Sequence, residues 1–150
     1  MVKLGQGLAT LVGRLMLAAI FLLSGIKHLM GFSGSLAHLE SHGITVLPTV
    51  QLAIAITALI CGASTLILGW CARFGAFCLI LFLIPATLVF HDFWAVPAEQ
   101  VQMQTIQFLK NVGLMGAMLL VIGFGPGPWS VDECCRGKSA PAAVPEQETP

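Results

Sequence analysis

The chain has 150 residues, of which 57% are hydrophobic and only 9% are charged. A mean hydropathy of +0.90 fits no water-soluble domain, so the composition indicates a membrane protein. The net charge is zero and no basic run occurs, which argues against binding to nucleic acid.

Long apolar segments dominate the chain, and each can cross a hydrocarbon core about 30 Å thick as a helix of ~20 residues. The runs are continuous rather than alternating, which excludes a transmembrane barrel. The predicted fold is therefore all-α, an antiparallel bundle of four transmembrane helices with short loops. The predicted spans are residues 8–28, 47–69, 73–91 and 105–124.

The connections between the spans carry local signals. Ser35 can cap a short interfacial helix that Gly43 ends, and Pro48 suits the first turn of the second span. Pro85 predicts a kink in the third span. The Gly-Pro-Gly-Pro run at 125–128 stops the fourth helix, and residues 133–150 read as a disordered tail.

Lysine and arginine placement predicts the orientation of the spans. One side carries Lys27 and Lys110, and the other carries the remaining five basic residues, which are Lys3, Arg14, Arg73, Arg136 and Lys138. The positive-inside rule then places both termini in the cytoplasm and all four histidines outside. Small residues within the spans predict close helix–helix seams, at Gly62, Ala63 and Ser64 and at Gly113, Gly116 and Ala117.

Polar side chains concentrate where three spans reach the outer side. They share helical faces at spacings of three and four residues, so they could form one pocket for a quinone head, an anion or a partner. Its predicted members are Ser24, Lys27, His28, His91, Gln107, Lys110 and Asn111. A pocket role requires Lys110 to face the bundle interior, whereas the alternative is a lysine that snorkels to the headgroups.

Two further features have competing interpretations. Arg14 lies near the cytoplasmic end of its span, where it could snorkel or bind a lipid phosphate. His38 and His42 stand four residues apart, but no third ligand is fixed by spacing, so no metal site is predicted. No nucleotide, flavin, haem or iron–sulfur signature occurs, and any redox cofactor would be a lipid quinone or belong to a partner.

Four segments, in the same order, resemble the DoxX-like family of small bacterial inner-membrane proteins. They are residues 13–27, the turn at 69–73, 108–112 and 125–132. The resemblance implies a four-helix membrane domain over residues 1–132 in the plasma (inner) membrane. The family-matched residues are Arg14, Ser24, Gly25, Lys27, Arg73, Lys110, Asn111 and Asp132.

The same resemblance implies a function. Family members include the small subunit of an archaeal thiosulfate:quinone oxidoreductase and a mycobacterial protein that assembles with superoxide dismutase and a sulfurtransferase. The chain is therefore expected to be an accessory or partner-binding subunit linked to redox, sulfur or quinone metabolism, with a protein partner or a second copy. The alternative is a small membrane transporter or an assembly factor. Related sequences often carry a glutamate at the position of Leu59, and its absence weighs against catalytic transfer by this chain.

Overall fold

The structure, a computed structural model, describes residues 2–138, and over this range the chain is helical with no β-strand. The helices are α1 (Val2–Met30), α2 (Phe32–Ser41), α3 (Pro48–Leu68), α4 (Ala72–Phe90), α5 (Ala98–Phe124) and α6 (Val131–Lys138). Four of them, α1, α3, α4 and α5, are long and apolar enough to cross a membrane. The predicted four-helix membrane bundle is thereby confirmed.

Two spanning helices extend beyond their apolar segments. α1 has 29 residues and α5 has 27, so each is about 40 Å long or more at 1.5 Å per residue. The added turns of α5, residues 98–104, contain one glutamate and three glutamines, and Ala, Glu, Gln and Met are all good helix formers. Hydropathy alone therefore placed the start of this helix seven residues too late.

The spanning helices pack in an open order. α1 lies against α3, α3 against α4, and α4 against α5, whereas the described parts of α1 and α5 make at most marginal contact. The core between them is built from apolar side chains with no exposed surface, which include Ala18, Leu59, Leu66, Leu79 and Met118. Leu59 thus lies in the core, at the position where the family resemblance implies a glutamate.

Glycines set the approach of α3 and α4. A methyl group added at Gly62 would come within 2.6 Å of the Leu79 side chain, and one at Gly75 would overlap the Thr65 hydroxyl. The predicted seam at Gly62 therefore forms. The glycines of α5 differ, because a methyl group at Gly113 or Gly116 would meet no atom within 4 Å.

The first connection departs from the prediction. α2 begins at Phe32 after Gly31, and Ser35 is not its cap but lies inside it, where its hydroxyl contacts His28. α4 runs unbroken from Ala72 to Phe90 with Pro85 inside it. Pro48 does occupy the first turn of α3, as predicted.

The tail predicted to be disordered from residue 133 begins as the helix α6. Ser130 caps this helix, since its Oγ accepts the Glu133 N–H at 3.3 Å and its carbonyl accepts the Cys134 N–H at 3.1 Å. Ser130 and Glu133 have the three-residue spacing of a capping box. The sequence analysis interpreted this region from its composition and missed that signal. Residues 139–150 of the predicted tail lie outside the described residues.

Candidate functional site

Polar side chains collect at both ends of the bundle. The histidine end comprises the helix ends that carry His28, His38, His42 and His91. The Arg14 end comprises the opposite helix ends, next to Arg14, Gly69 and Asp132. The sequence analysis predicted a pocket at the histidine end, but the more closely connected hydrogen-bond network lies at the Arg14 end.

At the histidine end, the polar groups form pairs. His28 Nδ1 lies 2.9 Å from Ser35 Oγ, which joins α1 to α2. His91 Nδ1 lies 2.9 Å from Gln104 Oε1, so the imidazole donates to α5. These pairs hold neighbouring helices together and use one ring nitrogen of each histidine.

A group of three rings fastens α2 over the end of α4. The His38 ring stacks on Phe90 with centroids 5.2 Å apart, and the His42 ring meets the same Phe90 edge-on at 4.9 Å. The two imidazoles lie 4.5 Å apart, centroid to centroid. Among the described residues, no three His, Cys, Asp or Glu side chains are grouped so that they could hold a metal ion.

The predicted pocket residues are distributed over different surroundings. Asn111 is buried, and its Nδ2 donates to Thr87 Oγ1 at 3.0 Å, which ties α5 to α4 inside the bundle. Ser24, His28, His91 and Gln107 are half-buried, and Lys27 is exposed. The helices bring His91 and Asn111 to the α4–α5 pair, whereas Ser24, Lys27 and His28 remain with α1 and α2.

Lys110 is exposed, so it does not occupy the interior position that a pocket role requires. The reason is its neighbour: consecutive helical residues point about 100° apart, and Asn111 is the one that faces α4. An exposed lysine in this place fits the alternative interpretation, a side chain that snorkels to the headgroups.

At the Arg14 end, the segment from Gly125 to Ser130 lies along one face of α1. A methyl group at Gly7 would come within 2.9 Å of the Trp129 indole, and one at Gly127 would come within 2.8 Å of the Thr10 side chain. One turn further on, Arg14 Nη2 donates to the Trp129 carbonyl at 2.7 Å. Gly7, Thr10 and Arg14 recur at spacings of three and four residues, so they form a single track for this segment.

The turn between α3 and α4 completes this end. Gly69 has a φ of 64°, and any side chain there would collide with Arg14 Nη1 and with Ser130. The Asp132 N–H donates to the Gly69 carbonyl at 2.9 Å. The Asp132 carboxylate in turn accepts the first N–H groups of α4, from Cys71 at 2.9 Å and Ala72 at 3.2 Å. Family resemblance had marked Arg14 and Asp132, but the sequence analysis missed the contributions of Gly7, Trp129 and Ser130.

A groove of about 600 Å³ runs between α3 and α4 on the outside of the bundle. The hydroxyls of Thr57 and Thr65 in its wall donate to carbonyls of their own helix, at 2.8 and 2.7 Å. The wall therefore offers apolar contact and few groups that could orient a polar ligand.

The fold and its two polar ends define a small all-helical membrane protein that crosses the bilayer several times. A sequence model of the DoxX family matches residues 9–92. The inner membrane protein YphA of Escherichia coli K12 is 30% identical over 122 residues, which cover 81% of this chain and 86% of that protein. The chain belongs to the DoxX family.

Two further relatives are more distant or share less of their length. The inner membrane protein YqjF of Escherichia coli K12 is 24% identical over 133 residues, 89% of this chain and 96% of that protein. The Surfeit locus protein 4 homolog of Schizosaccharomyces pombe is 31% identical over 104 residues, which cover 68% of this chain but 33% of that protein. No solved structure matches the chain.

Proposed function

We propose that this chain is an accessory subunit of the inner membrane and that it binds a partner, either another membrane protein or a second copy, through an exposed face of α5. The face consists of Leu109, Gly113, Gly116, Leu120 and Gly123, and we name it the glycine face. Its members recur at spacings of four and three residues, and it lies opposite Asn111 and Met118, which pack toward α4.

The observation that carries the proposal is that these glycines have no packing role within the described chain. Methyl groups added at Gly113, Gly116 or Gly123 would all meet open space. Glycine inside a helix costs about 1 kcal/mol relative to alanine. At Gly62 and Gly75 that cost is offset by the close approach of α3 and α4, and on α5 it is offset by nothing described.

The rest of α5 is also less buried than the other spanning helices are. Only 6% of its apolar window is buried, against 22 to 33% for the other three spans. Leu109 and Leu120 are each 61% exposed on either side of the glycines. Helices in lipid associate by close backbone contact at small residues, so a second helix fits this face.

The test places a photo-crosslinking amino acid at Leu109 or Leu120 in native membranes, with Leu15 and Met16 on α1 as exposed control positions. The α5 positions should give an adduct of defined mass that the α1 positions do not give. Mass spectrometry then distinguishes a second copy from another protein. The proposal is wrong if α5 crosslinks no better than α1.

A matched pair of variants sharpens this test. Gly116→Leu should reduce the adduct at least tenfold, because the leucine side chain blocks close approach. Ala19→Leu, on the exposed side of α1, should leave the adduct unchanged. An adduct that persists in Gly116→Leu would place the partner elsewhere.

A link to redox, sulfur or quinone metabolism is a second part of the proposal, and it rests on the family resemblance alone. Membranes that lack the chain should transfer electrons from thiosulfate to quinone more slowly, and Ala19→Leu but not Gly116→Leu should restore the rate. If the deletion leaves this rate unchanged, the metabolic link to that reaction fails while partner binding can still stand.

A further inference from the structure

The Arg14 guanidinium is buried with most of its hydrogen-bonding capacity unused. The residue is only 3% exposed, and Nη2 is bonded to the Trp129 carbonyl. Nε and Nη1 are both buried and have no hydrogen-bond partner in the part of the chain that the structure describes. A buried charged donor without an acceptor is costly, so this side chain is suited to receive a further acceptor.

The N-terminus of α4 lies beside this guanidinium, since Nη1 lies against Gly69, two residues before Cys71. Helix N-termini favour anions because their first N–H groups lack partners and the helix dipole is positive there. Asp132 supplies the anion, with one carboxylate oxygen on each of the Cys71 and Ala72 N–H groups. Asp132 also attracts Arg14 electrostatically.

The two carboxylate oxygens of Asp132 bond the N–H groups at the start of α4 but not Nε or Nη1 of Arg14. The Asp132 carboxylate is committed to α4, and the two free donors of Arg14 stay unbonded. Inorganic phosphate has four acceptor oxygens, and the phosphodiester of a lipid has two non-bridging oxygens besides its ester oxygens. In both, the oxygens point in tetrahedral directions, and the group pairs with arginine through two parallel hydrogen bonds. It could bond the N-terminus of α4 and Arg14 at once.

We propose that Arg14 and the N-terminus of α4 form a binding site for a phosphate group, and that Asp132 is an internal carboxylate that occupies the site until phosphate displaces it. The phosphate comes either from an anionic lipid headgroup or from inorganic phosphate in solution. Helix ends lie at the depth of the headgroups, so both sources can reach this end of the bundle.

The segment that would have to move, α6, is largely exposed. Val131, Glu133 and Cys134 are exposed on α6, and Trp129 is 51% exposed. Asp132 binds α6 to the turn between α3 and α4, through its N–H and its two carboxylate oxygens. A phosphate group that replaces the carboxylate on α4 therefore removes two of these contacts and loosens the helix.

The first experiment uses Asp132→Asn, which keeps the size of the side chain and removes its charge. By native mass spectrometry, this variant should retain phosphatidylglycerol at least tenfold more tightly than the wild type does. Phosphatidylcholine, which has no net charge, should show a smaller gain. Asp92→Asn at the histidine end is the matched control and should show none.

The Arg14→Gln/Asp132→Asn double variant should lose the gain, because the buried guanidinium is then absent. Inorganic phosphate, titrated separately, identifies the source. A response to phosphate and lipid alike assigns the site to the phosphate group itself, and a response to lipid alone assigns it to the headgroup. A folded Asp132→Asn variant that gains affinity for neither ligand would overturn the proposal.

The second experiment needs no variant. In vesicles of phosphatidylglycerol, the amides of Glu133 and Cys134 should exchange hydrogen at least tenfold faster than in phosphatidylcholine. The Cys71 and Ala72 amides should remain protected in both, since phosphate takes over from the carboxylate. Identical exchange of α6 in the two lipids would contradict displacement.

Discussion

The same small substitution, glycine to alanine, should have opposite effects at two residues of this chain. At Gly75, the added methyl group would overlap the Thr65 hydroxyl and lie 3.3 Å from the Gly62 carbonyl, so α3 and α4 must move apart. We expect the free energy of unfolding to fall by about 1 to 3 kcal/mol, as for overpacked cores.

At Gly113, the methyl group would meet open space, so only helix propensity changes. We expect Gly113→Ala to raise the free energy of unfolding by up to about 1 kcal/mol. Reversible unfolding in mixed micelles measures both variants under the same conditions. Equal effects at the two positions would contradict the packing described for α3 and α4.

The hydrogen bond between Asn111 and Thr87 connects two helices, α5 and α4, within the membrane. A double-mutant cycle with Asn111→Leu and Thr87→Val should give a coupling free energy of about 0.6 kcal/mol and at most about 1.7 kcal/mol, the mean and the maximum of such cycles in a membrane protein. The Gln107→Leu/Thr87→Val cycle is the control and should show no coupling. Additive effects in the first cycle would mean that the bond contributes nothing to the α4–α5 contact.

The C-terminal segment, residues 125–132, contacts α1, the end of α3 and the start of α4. Truncation after Gly137 should leave unfolding unchanged, because the contacts of Trp129, Ser130 and Asp132 remain. Truncation after Phe124 removes them all and should lower the free energy of unfolding by about 2 to 4 kcal/mol, a few hydrogen bonds of about 1 kcal/mol each. Thermal melting in detergent compares the two chains, and equal midpoints would show that the segment stabilises nothing.

The orientation of the whole molecule is predicted by its basic residues. If both termini are cytoplasmic, a membrane-impermeant thiol reagent added to intact cells should leave Cys71 and Cys134 unlabelled. Both side chains are exposed at the Arg14 end, so they should react once the cells are lysed. Labelling before lysis would reverse the orientation and place the histidine end inside the cell.

The sequence predicted the spanning helices, but it did not determine which polar side chains face the bundle interior, and the reason is physical. Continuous apolar runs require helices in lipid, since backbone groups find no water there. Lys110 and Asn111 are consecutive residues of α5, and helix periodicity alone does not determine which of the two faces α4. That choice depends on where the neighbouring helix lies, and it separated a buried amide from an exposed lysine.

The amino-acid sequence by itself determined that this chain is a four-span helical membrane protein, because length and hydropathy are local properties, and the resemblance of four segments indicated the DoxX family. Only the tertiary structure decided how Arg14, Gly69 and Asp132 meet, since these residues are far apart in the chain and lie on three different segments. It also decided which glycines are packed and which are open. Gly75 and Gly113 both lie inside spanning helices. Only the positions of the neighbouring helices decide that Gly75 is packed and Gly113 is exposed.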